Sequence, residues 1–162
     1  MIRHRAYRKA LEASGVLPIL GNFIKEPVEC PRCRNGLLCS SCGPIPHRPV
    51  EKQGDVNTAI HLIADAYRTD FDHFYLVTAD SDQVATVKLF RELFPNKSVF
   101  VVAPPGQRHS QDILTYANGD LTILRPVIEA NLLGPNVHKG GKLVVERPKA
   151  YDPPGSGKAG TR

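Results

Sequence analysis

Apolar residues recur along the chain in two rhythms, and their alternation predicts an α/β protein. From Arg5 to Ser14, the residues Ala6, Ala10 and Ala13 with Tyr7 and Leu11 follow helical spacing, and Gly15 ends the run as a C-terminal cap would. Val16 to Phe23 reads as a strand, with Pro18 placing it at an edge or giving it an irregular start. After Glu51-Lys52-Gln53-Gly54 the positions Val56, Ala59, Ile60, Ile63 and Ala66 give the i, i+3, i+4, i+7 series of an amphipathic helix. His73 to Ala79 predicts a strand, Asp80-Ser81-Asp82 an acidic turn, and Val84, Val87, Phe90 and Leu93 a second amphipathic helix.

Ser98 to Ala103 is almost wholly apolar, as expected of a strand covered on both faces. Beyond Pro104-Pro105-Gly106 come a weak helix over Ser110 to Asn118, a short strand over Leu121 to Leu124 and a last helical stretch over Val127 to Leu133. A small hairpin is expected around Gly140-Gly141, and the sequence after residue 152 lacks the apolar content to stay ordered. Strands alternating with helices imply a parallel sheet with right-handed crossovers, in which functional groups gather at the carboxyl ends of strands. The domain reading is one α/β domain over residues 1–133, interrupted by an insertion at 25–50, and an extension over 134–162.

The insertion holds all four cysteines and has neither helical nor strand period. Cys30, Cys33, Cys39 and Cys42 form two C-x-x-C pairs, each able to wrap one side of a tetrahedral zinc ion, with Gly36 and Gly43 supplying turns. Four thiolates leave no open coordination position, so the expected zinc is structural. Free buried thiols or a redox dithiol are the other readings of the same spacing. His47 is a spare donor. Because no signal peptide or membrane span is legible in the sequence, a reducing, cytoplasmic setting is expected, and it favours metal over disulfides.

Charge is distributed unevenly. Residues 1–50 hold eight Lys/Arg against three Asp/Glu, residues 51–133 seven against eleven, and residues 134–162 six against two. Basic ends around an acidic middle suit a polyanion-binding protein whose carboxylates hold a cation. Solvated basic tails are the plainer reading of the same charges. Asp55, Asp80 and Asp82 are the candidate ligands: a hard divalent ion takes carboxylate oxygens, keeps several waters and suits phosphodiester chemistry. Each has a simpler structural alternative, Asp55 and Asp82 as helix caps and Asp80 as a turn residue.

The stretch Glu51-Lys52-Gln53-Gly54-Asp55-Val56-Asn57, followed by a helix and then Leu76-Val77-Thr78-Ala79-Asp80-Ser81-Asp82, resembles the two acidic motifs of the NYN domains, members of the PIN-like superfamily of metal-dependent ribonucleases. The resemblance runs from about Arg5 to Tyr151 and is looser outside the two motifs. It implies a Rossmann-like three-layer parallel sheet, here with a zinc-knuckle insertion, and hydrolysis of RNA at a Mg²⁺ or Mn²⁺ site. Asp55, Asp80 and Asp82 match the family's acidic positions; Asn57, Thr78, Ser81 and Ser110 match its nearby polar ones. Ala79 stands where the family has Gly, and Gln83 where it has an aromatic residue. The family's opening strand, which ends in Asp-x-x-Asn, has no counterpart after Met1, so either an upstream extension or an incomplete site is expected. Two functions follow: a metal-dependent endoribonuclease, or a non-catalytic RNA-binding or scaffold module with a structural zinc. Phosphotransfer through Asp80 is a more distant third. RNA is the expected partner, self-association is left open, and no membrane is involved.

Overall fold

A computed structural model describes residues 2–29, 32–34 and 47–152. The chain divides into two compact units, residues 20–124 and a second unit that joins residues 1–19 to 125–162. The described residues form three small sheets in a mixed α/β arrangement, and no helix among them is long and apolar enough to cross a membrane.

The larger unit is built on a parallel sheet of order β3-β4-β5, with β3 at His73–Val77, β4 at Ser98–Ala103 and β5 at Gly119–Thr122. β3 buries Phe74 and Leu76 and leaves His73, Tyr75 and Val77 outside, the period of two that a half-covered strand requires. Over the buried side lie α2 (Gly54–Arg68), α3 (Val84–Leu93) and α4 (Gln111–Leu114). They contribute Ala66, Val87, Phe90 and Ile113 to one cluster with Phe74, Leu76, Val99 and Val101. Phe90 and Val87 have no exposure at all, and burying each contributes roughly 1.5–3 kcal/mol. Phe90 stands 5.2 Å from Phe74 and 5.1 Å from Phe94, centroid to centroid, in tilted aromatic contacts. β5 comes close to β4 at Gly119, where a Cβ would lie 3.2 Å from the Phe100 ring.

The same unit carries an antiparallel hairpin of β1 (Asn22–Pro27) and β2 (His47–Lys52), with Asn22 paired to Lys52 and Pro27 to His47. The strand expected over Val16 to Phe23 therefore starts later: residues 16–21 are not strand, because Pro18 offers no N–H and the available partner is β2. The hairpin is the stem of the cysteine-bearing insertion. Cys30, Cys39 and Cys42 lie outside the described residues; Cys33 is described and exposed in a short turn.

In the smaller unit, α1 (Ile2–Ala13) packs its Ala10 side against a second antiparallel hairpin, β6 (Asn136–Lys139) and β7 (Lys142–Glu146). Gly140 and Gly141, both with positive φ, make its turn, at the expected place. α5 spans Arg125–Ala130, and a 3-10 turn at Lys149–Tyr151 follows β7. The side chain of Arg147 donates to the Leu133 carbonyl, and its backbone N–H donates to Pro135 O at 2.7 Å, fixing the chain as it leaves β7. The expected disorder after residue 152 lies outside the described residues.

Candidate functional site

The carboxyl end of β3 is locked by short-range hydrogen bonds. Thr78 donates its N–H to Val102 O at 3.0 Å, extending the ladder one residue past β3, and its hydroxyl accepts from the Asp80 N–H at 3.0 Å. Asp80 Oδ1 in turn accepts from the Asp82 N–H at 3.0 Å and caps the 3-10 turn Ser81–Gln83, which leads into α3. Asp80 thus has the turn role expected of a simple structural residue. Asp80, Ser81 and Asp82 are nevertheless all exposed, so their remaining donors and acceptors face solvent.

Asp55 comes to this turn from the other motif. It sits in the first turn of α2, one residue inside the helix's first position; the N-cap position is held by Gln53, whose side chain makes no capping bond, so Asp55 is not the cap that the sequence allowed. Gln83, only 3% exposed, donates from Nε2 to the Asp55 carbonyl at 3.1 Å and joins the start of α2 to the end of the acidic turn. Its Oε1 is buried without a hydrogen-bond partner among the described residues, a costly state for an amide oxygen. Gln53 itself has a left-handed backbone, φ 77°, where a side chain is disfavoured.

The carboxylate of Glu51 also belongs to this end of α2. A Cβ at Gly21 would overlap Glu51 Oε1, and one at Gly54 would lie 2.9 Å from Oε2, so both glycines make room for it. A negative group beside the first residues of a helix is favoured by the helix dipole.

The supporting polar residues divide. Asn57 Nδ2 donates to Leu20 O at 3.2 Å and ties α2 to the segment before β1, a structural task. Ser110 is the N-cap residue of α4, yet its hydroxyl makes no capping bond. α2, α3 and α4 all touch the Ser81–Gln83 turn, so Asp55 and Ser110 are carried by neighbours of Asp80 and Asp82. In the loop before α4 the imidazole of His109 is buried, with Nε2 3.6 Å from Asp120 Oδ2, longer than a hydrogen bond.

The structure therefore brings both acidic motifs to one end of the parallel sheet. It does not converge them into a closed cage: among the described residues, no three His, Cys, Asp or Glu side chains are placed to hold one ion. The donors present there are hard oxygens, which suit magnesium or manganese; such ions bind through one or two carboxylates plus substrate phosphates and keep their waters. The zinc reading falls mostly on cysteines outside the described residues.

Two residues here escaped the sequence reading. Glu51 lies inside the quoted motif, and its neighbouring glycine was the available signal. Gln83 showed only as a departure from an aromatic, and nothing in the sequence indicated that it would turn toward Asp55. Against protein-family models, curated proteins and solved structures alike, the chain has no match.

Proposed function

We propose that this protein is a magnesium- or manganese-dependent ribonuclease of the PIN-like NYN type, acting at the carboxyl end of β3. The observation that carries the reading is the hydrogen bond from Gln83 to Asp55, which joins the two acidic motifs at the edge where an α/β sheet presents its functional groups. Asp80 and Asp82 are the principal ligands. Asp55, tied to the same turn through its backbone carbonyl, would hold outer waters, and Thr78, Ser81 and Ser110 would orient what binds there. The ion would neutralise the scissile phosphate and make a bound water acidic enough to attack it. The protein supplies the rest: a turn held rigid by Thr78 and by the Asp80 cap, and exposed carboxylates open to a strand of RNA.

In the same reading Cys30, Cys33, Cys39 and Cys42 hold a structural zinc at the tip of the β1–β2 stem, in a reducing cytoplasmic compartment. A second reading, a non-catalytic RNA-binding module, is favoured by one observation, the use of Asp80 Oδ1 as a turn cap.

Manganese titration monitored by electron paramagnetic resonance separates the two. The nuclease reading expects saturable binding of Mn²⁺ that weakens at least tenfold in Asp82→Asn, a residue with no capping task. Equal, weak binding by both proteins favours the binding module.

A further inference from the structure

The boundary between the two units is also a boundary in charge. The unit made of residues 1–19 and 125–162 holds eleven Lys/Arg against four Asp/Glu, a net of +7; residues 20–124 hold ten against twelve, a net of −2. We propose that the basic unit is the grip for single-stranded RNA, binding its ribose-phosphate backbone through Arg5, Lys9, Lys139 and Lys142 and stacking bases on Tyr7 and Tyr151. This rests on the reading of RNA as the partner, and not on its hydrolysis.

Three observations carry the proposal. First, like charges are set against one another. Lys139 and Lys142 are direct cross-strand partners at the tip of the β6–β7 hairpin, both exposed, and Arg5 and Lys9 are exposed one turn apart on α1. Both arrangements are unfavourable without an anion between them. Second, the unit's carboxylates do not relieve them. Its ion pairs among the described residues are Arg8–Glu12 at 3.6 Å and Arg125–Glu129 at 2.8 Å, and neither reaches those four cations.

Third, the same unit exposes aromatic faces. Tyr7 lies on α1 two residues from each of Arg5 and Lys9, and so on another side of the helix, with its ring 6.3 Å from that of Tyr151, which follows Lys149 in the 3-10 turn. Tyr7 is 53% exposed and Tyr151 39%, so the pair is not a buried core contact. Basic side chains that track phosphates, together with aromatic faces that accept any base, are the chemistry of sequence-tolerant single-strand binding.

The test is fluorescence anisotropy of a labelled oligouridine titrated with the full chain, without added magnesium or manganese, over a series of salt concentrations. Lys139→Gln/Lys142→Gln and Arg5→Gln/Lys9→Gln are each expected to weaken binding at least tenfold. Each should also lower the slope of log affinity against log salt by about 1.4, since a single strand loses about 0.7 per phosphate contact. Tyr7→Ala should weaken binding on the order of tenfold while Tyr7→Phe does not, which separates a stacking ring from a hydroxyl contact. Arg68→Gln/Arg91→Gln, in the other unit, should leave the slope unchanged.

Unchanged slopes in both basic variants, an equal loss in Arg68→Gln/Arg91→Gln, or binding to phosphatidylserine vesicles without binding to oligouridine would each overturn the proposal. Because no cleavage is read, a protein that binds in this manner and never cuts RNA refutes the nuclease reading alone. One that cuts with metal while the basic variants bind normally refutes this one alone.

Discussion

Gln83 reaches across from the acidic turn to the first turn of α2 and donates its side-chain amide to the backbone carbonyl of Asp55 at 3.1 Å. The bond is made inside the protein, by a residue 3% exposed, yet it connects two segments whose carboxylates face solvent. A cross-link of that kind fixes the spacing of the two acidic motifs without occupying either of them.

Replacing Gln83 by Met keeps the volume and removes the amide. The lost hydrogen bond and the removal of the buried, unpartnered Oε1 offset each other, so stability should change by about 1 kcal/mol or less. Cleavage should suffer more, falling about tenfold in kcat with KM for RNA unchanged, because a misplaced carboxylate costs rate and leaves RNA binding alone. Urea unfolding and steady-state cleavage read the two effects; a rise in KM with kcat unchanged would place Gln83 in RNA binding instead.

The core makes a contrasting prediction. Phe90→Ala removes a ring with no exposure from the centre of the aromatic cluster and should destabilise the protein by about 3–5 kcal/mol in urea unfolding. Tyr75→Ala, on the outer side of β3, loses a ring that is 58% exposed and stacked on Phe100 at 5.3 Å, and should cost about 1 kcal/mol or less.

Much of this core was legible in the sequence, since Phe74 and Leu76 alternate with Tyr75 and Val77, and Val87 and Phe90 fall on one helical stripe. Where periodicity was weak the reading drifted. The strand expected from Val16 begins at Asn22, because its partner is β2, reached only across the whole cysteine-bearing segment, and a pairing over that distance leaves no local pattern. The almost wholly apolar Ser98 to Ala103 suggested cover on both faces, and β4 is covered on both: Val99 and Val101 lie in the cluster to which α2, α3 and α4 contribute, and on the opposite face Val102 is buried and Phe100 half-buried, while Tyr75 and Val77 on the neighbouring strand stay exposed. The acidic motifs were legible as residue types in order. The direction in which Gln83 and Glu51 turn their side chains is set by tertiary packing, and the sequence carries no period for it.

Gln53 offers a test of backbone strain beside the site. Its φ of 77° is disfavoured for any residue with a Cβ, so Gln53→Gly should stabilise the fold by about 1 kcal/mol, read as a higher urea midpoint with an unchanged slope. A lower midpoint would show that the Gln53 side chain makes contacts worth more than the strain.

The cysteine-bearing segment should bind a single zinc ion. Cys39→Ser should lose the metal by elemental analysis while far-ultraviolet circular dichroism retains the signal of the α/β core, because β3, β4 and β5 lie outside the segment. Four freely reactive thiols in an otherwise native, metal-free protein would contradict the zinc assignment.

The central claim is that the turn after β3 is a metal-dependent nuclease centre, and the most direct measurement compares the wild-type chain with Asp80→Asn on single-stranded RNA. Wild type should cleave only when Mg²⁺ or Mn²⁺ is present. Asp80→Asn keeps an oxygen able to accept from the Asp82 N–H, so the turn should survive, but it removes the charge that would hold the ion. Cleavage should then vanish while RNA binding, which depends on Lys and Arg, persists. Cleavage by Asp80→Asn at the wild-type rate, or cleavage by either protein without divalent metal, would contradict the account.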